Sequence, residues 1–111
     1  MKFTIKFTET AKIDFRKTFE YIAISLGNEV AATRLLNKAE KLAKTLDENP
    51  KRQPLVRDRK LAKKGLRHLP VDNYFLFYIV CEKTNTVYIV GFIYSSRNWE
   101  SLFNEIKLPE S

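Results

Sequence analysis

Cysteine is nearly absent from this sequence: Cys81 stands alone among 111 residues. No disulfide can form within the chain, which fits a reducing cytoplasm. Its setting, YFLFYIVC, reads as a small buried hydrophobe rather than a nucleophile. Histidine is also single, His68. With no Cys or His companions there is no ligand set for a metal, and no cofactor is expected. Glycine and proline number only three and four, which leaves no long flexible linker and no glycine loop to cradle phosphate. No apolar run approaches the ~18 residues of a membrane span, and MKFTIKFTET lacks a signal core. A soluble cytoplasmic protein without a membrane partner is expected.

What is present is apolar bulk and positive charge. Hydrophobic residues make up 44% and aromatics 13%, enough for one packed domain over residues 1–111. Lys and Arg number 20 against 13 Asp and Glu, a net charge of +7. Such an excess points to an anionic partner, nucleic acid or an acidic protein, although small domains also carry charge for solubility.

The apolar period sets the element order. Phe3, Ile5 and Phe7 alternate with Lys2, Thr4 and Lys6, a half-buried strand. Thr8 offers a helix cap. Phe15, Phe19, Ile22 and Leu26 then form a helical stripe, ended by Gly27. Asn28 caps a second helix with Leu35, Ala39, Leu42 and Leu46 inward, stopped at Pro50. So short a connection makes the two helices an antiparallel hairpin. A basic loop comes next, with one helical turn around Arg59–Lys63. Leu66–Val71, Tyr74–Cys81 and Val87–Tyr94 read as strands, the middle one central, with Gly91 permitting a bulge. Trp99, Leu102, Phe103 and Ile106 have helical spacing behind Asn98 as cap. The fold class is therefore α+β: an N-terminal strand, an antiparallel helix hairpin, three antiparallel strands and a short C-terminal helix. The hairpin would cover one face of the sheet and leave the other free, with the basic loop at its rim.

Two groups stand out as candidate sites. Residues 51 to 68 hold eight cations: Lys51, Arg52, Arg57, Arg59, Lys60, Lys63, Lys64 and Arg67. Lys60, Lys63, Lys64 and Arg67, together with Arg97 further along the chain, are candidate target-binding residues, because cations on a scaffold set affinity for phosphates. Arg67 can fork onto a phosphate or carboxylate; alternatively it pairs with an acid such as Asp72 or Glu100 and locks the sheet. In IYSSRNW, Arg97 lies just past a strand end and can stabilise charge developing on a phosphate. Tyr94 can stack on a base, or carry a proton if its pKa is perturbed, or be an ordinary edge aromatic. His68 beside Arg67 suits acid–base work or a plain surface position. No nucleophile motif and no carboxylate pair with catalytic spacing occurs. Arg67 and Arg97 are expected to border one exposed surface.

From Phe3 to Phe103 the ordered set TETAKIDFRKTFEYIA, LDENP, GLRHLPVDNYFLFYIV and VYIVGFIYSSRNWESLF resembles the RelE/ParE superfamily of toxins. The resemblance implies the toxin half of a type II toxin–antitoxin module, growth-inhibiting when free and neutralised by a cognate antitoxin. RelE-like members cleave messenger RNA on the ribosome; ParE-like members poison DNA gyrase. The nuclease branch carries an arginine where Phe75 stands, a tyrosine where Phe103 stands, and lysines near Leu66 and His68. Only Arg97 matches a catalytic position there. The long hairpin and Gly65-x-Arg67 resemble the ParE branch, which the resemblance favours slightly as a gyrase poison. Two alternatives stand beside it. One is a ribosome-dependent mRNA endonuclease using Arg97, Arg67, Tyr94 and His68; the other is a non-toxic basic module binding nucleic acid or protein.

Overall fold

The computed structural model describes residues 2–111. Strand β1 (Thr4–Phe7) leads into α1 (Glu9–Glu20), whose last turn widens into a π-helical segment, Tyr21–Ser25. Helix α2 (Glu29–Lys44) returns antiparallel, and two short 3₁₀ turns, Thr45–Asp47 and Pro50–Arg52, carry the chain to α3 (Arg59–Lys63). Strands β2 (Leu66–Val71), β3 (Tyr74–Cys81) and β4 (Thr86–Tyr94) come next, then α4 (Trp99–Asn104). The sheet order is β1-β4-β3-β2. β2, β3 and β4 pair antiparallel, and β1 joins β4 in parallel. The element order read from the sequence holds throughout, including the single helical turn at 59–63.

Local chemistry explains the boundaries. The Thr8 hydroxyl accepts from Ala11 N, and the Asn28 carboxamide from Ala31 N, each satisfying a free N–H at a helix start. Gly27 takes φ +64°, the left-handed conformation that lets the hairpin turn. Leu26, predicted inside, is exposed instead. The π-helical segment before it advances less rotation per residue, so the inward stripe stops at Ile22 and Leu26 swings outward.

The hairpin packs Ala11, Leu35, Ala39 and Leu46 against Tyr78, Ile89 and Phe92 of the sheet. Fully enclosed alanines, Ala11, Ala32, Ala39 and Ala43, let the helices lie close to the strands. The opposite face is not free, contrary to the sequence reading. Leu61 of α3, Phe103 of α4, and Val56 and Leu108 from the connecting and C-terminal segments form a second core over Phe77, Ile79, Val90 and Ile93. The cover comes from single residues spread over four short segments. None of these has enough periodicity to announce a buried face. β4 carries a bulge opposite Phe77 and Tyr78, leaving Val90 without a partner residue beside Gly91. A Cβ at Gly91 would sit 2.8 Å from Phe103 Cζ, so glycine lets α4 approach the sheet.

Candidate functional site

A groove of about 980 Å³ opens between α1 and the far ends of β3 and β4. Asp14, Lys17 and Tyr21 line it from the first helix, Tyr74 and Tyr94 from the strands, and Arg97 from the turn before α4. The aromatic floor is ordered by stacking: Tyr74 lies flat on Phe92 with centroids 4.9 Å apart and meets Tyr94 edge-on at 5.5 Å. Burial, with Tyr21 and Tyr94 beside it, holds the Tyr74 phenol above its ordinary value. The hairpin tip exposes Tyr21, Ile24, Leu26 and Val30, with Ile24 76% and Val30 68% accessible. Of these apolar side chains, Tyr21 and Leu26 also line the groove.

Asp14 is the functional candidate that sequence reasoning missed. β1 ends at Phe7 opposite Ile89, so beyond that point β4 has no strand on its β1 side, while β3 continues along the other. Asp14 Oδ2 accepts from Phe92 N at 3.1 Å and takes the place of the missing strand. Burial raises its pKa against the opposing pull of that hydrogen bond, Lys17 and Arg97. A signal was available: Ala11, Asp14 and Thr18 share one helix stripe at i, i+3 and i+7, and a carboxylate among inward residues needs a partner.

The predicted residues do not converge. Arg97 and Tyr94 share the groove. Arg67 lies on β2 opposite Tyr78, four residues from the Tyr74 end of β3, or about 13 Å at strand rise. Its guanidinium donates to the carbonyls of Gln53 at 2.6 Å and Lys51 at 3.3 Å. It pairs with neither Asp72, which holds Lys38, nor Glu100. Arg67 therefore ties segment 50–55 to the edge of β2 and does not share a rim with Arg97. His68 points to the other face, its ring edge-on to Phe75 with centroids 4.7 Å apart. Lys60, Lys63 and Lys64 are exposed on and just after α3, outside the groove.

His68 makes a test of its own. Its Nδ1 is enclosed with no hydrogen-bond partner among the described residues. Burial and then the charge of Arg57 hold the imidazole below its ordinary 6.5. Above 6.5 neither folded nor unfolded chain carries the extra proton. As pH falls below 6.5 the unfolded chain binds it first, so the fold loses stability until the lowered folded pKa is passed. His68→Phe is expected to retain the ring packing and to flatten melting temperature against pH just below 6.5. Identical slopes for the variant and the wild type would remove His68 from the acid response.

Residues 5–99 match the family described as the ParE toxin of the type II toxin–antitoxin system parDE. Solved structures that share the fold include the following three. The toxin–antitoxin complex RelBE2 from Mycobacterium tuberculosis aligns with TM-score 0.63 and 22% identity, covering 85% of this chain and 99% of that one. The chromosomal ParDE system of P. aeruginosa aligns at 0.68 and 14%, covering 84% and 96%. A mutant of the E. coli toxin RelE in the free state aligns at 0.63 and 16%, covering 95% and 94%. No curated protein sequence matches the chain significantly. Among the described residues no helix is long and apolar enough to cross a membrane.

Proposed function

This chain belongs to the ParE toxin family of type II toxin–antitoxin systems, and from that premise we propose that it arrests growth when free by poisoning DNA gyrase. A cognate antitoxin neutralises it. The observation that supports gyrase over messenger RNA is the dispersal of the groups a nuclease would gather. Cutting a phosphodiester needs a base, an acid and a charge stabiliser within hydrogen-bond reach of one phosphate. Here Arg67 is engaged by backbone carbonyls, His68 is packed against Phe75, and Tyr94 and Arg97 open into a groove that holds neither. Phe75 and Phe103 add no polar atom. A binding surface remains without a cleavage set.

The groove and the hairpin tip suit the antitoxin. An amphipathic segment would bury its apolar side on Tyr21, Leu26 and Tyr74 and set acids against Lys17 and Arg97. Purified protein added to gyrase and supercoiled plasmid is expected to accumulate cleaved DNA. Cuts in cellular messages at ribosomal A-site codons, with gyrase unaffected, would overturn the proposal in favour of the endonuclease. Unchanged growth on induced expression without antitoxin would leave only a non-toxic binding module.

Arg97 is exposed, and its backbone N–H bonds to Tyr94 O. Arg97→Ala is thus expected to change stability by no more than about 0.5 kcal/mol while weakening growth arrest at equal abundance. Full arrest by that variant would take Arg97 out of the site.

A further inference from the structure

The eight cations of residues 51–68 separate into two kinds. Lys51 pairs with Glu82, Arg52 holds Thr45 through its carbonyl and hydroxyl, and Arg67 holds Gln53. These three fasten the connecting segment to the body. The other five, Arg57, Arg59, Lys60, Lys63 and Lys64, are exposed, and none makes an ion pair among the described residues. Four of them fall on one side of a single helical turn. Arg59 and Lys63 are four residues apart, as are Lys60 and Lys64, while Leu61 turns into the second core. Like charges at that spacing destabilise a helix. The one acid in the stretch, Asp58, has its carboxylate engaged in capping Leu61 N. The fold thus holds a like-charged ridge against local repulsion, on a face that contributes nothing to the groove.

Building on the gyrase reading, we propose that this α3 ridge binds the phosphate backbone of duplex DNA, the substrate on which gyrase works. Five unneutralised cations within eight residues match a polyanion of regular charge. The ridge offers no free ring to stack a splayed base, as binding of a single strand requires. His68, which feels the charge of Arg57, is itself packed edge-on against Phe75. The contact is therefore to the backbone and independent of sequence.

The test uses the purified full chain and a fluorescent DNA duplex, without gyrase, by anisotropy across salt. Five phosphate contacts give a log–log slope of about −4.5, a fall of roughly 500-fold in affinity from 50 to 200 mM salt. The triple variant Lys60→Gln, Lys63→Gln, Lys64→Gln is expected to melt no lower than wild type and to show a slope near −1.8, about two contacts. An unchanged slope in the folded variant, no binding by wild type, or tighter binding to single-stranded RNA of equal length would each overturn the proposal. Because gyrase is absent, a steep slope that the triple variant loses sustains the DNA contact even if gyrase cleavage fails, and the converse result leaves gyrase poisoning standing without it.

Discussion

Phe77→Ala is expected to cost about 3–5 kcal/mol of folding stability. Phe77 is fully enclosed at the centre of β3. Its ring centroid lies 4.7 Å from Phe103, 4.9 Å from Trp99 and 5.8 Å from Phe75. The edge-to-face pairs with Phe103 and Phe75 add about 0.5–1.5 kcal/mol each beyond area burial. The site cannot collapse to fill the void, because β3 is fixed by β2 and β4 on either side. With total stabilities of about 5–15 kcal/mol for domains of this kind, one such loss removes much of the margin. Urea unfolding should show a lower midpoint at unchanged m-value. A loss below about 1 kcal/mol would mean that the second face is a loosely covered surface and not a core.

That second core marks the boundary of what the sequence could disclose. Strands and helices were legible because their apolar residues repeat at two or 3.6 over long enough stretches. The single turn of α3 was read around Arg59–Lys63, inside the basic loop. The cover of the second face was not, since Val56, Leu61, Phe103 and Leu108 come from segments too short to show a period. Arg67 shows the same limit for the site. Alternation placed it correctly on β2, but its acceptors are carbonyls 14 and 16 residues earlier, and backbone oxygens leave no trace in side-chain chemistry. Charge density located the basic stretch, yet only tertiary contacts separate its three structural cations from the five on the α3 ridge. Arg97 and Tyr94 were legible because the end of a strand exposes its last side chains and the turn beyond. Asp14 was passed over because its partner is a main-chain N–H on a strand 78 residues away.

Asp14 gives the second prediction, in which two substitutions move stability in opposite directions. Asp14→Ala deletes the acceptor for Phe92 N–H at a residue only 2% exposed. A buried donor left unpaired costs about 1–3 kcal/mol, or about 4–8 °C in melting temperature for each kcal/mol. Asp14→Asn retains an oxygen for that N–H and removes the charge. Burial raises the folded pKa of Asp14 above its ordinary 3.8, outweighing Phe92 N–H, Lys17 and Arg97. Below 3.8 both folded and unfolded wild type are protonated. As pH rises through that window the unfolded chain releases its proton first, and the fold loses stability that it does not regain at neutral pH. The asparagine variant should therefore melt above wild type at pH 7, with the gain vanishing as pH falls toward 3.8. Asp14 thus keeps a carboxyl group in the groove at a cost to stability when it ionises, within the electrostatic reach of Lys17 and Arg97. A charge retained under that penalty fits a role in holding those cations for a partner. Asp14→Asn should then arrest growth less effectively than wild type despite its higher melting temperature. A variant that is both more stable and equally toxic would confine Asp14 to closing the edge of β4.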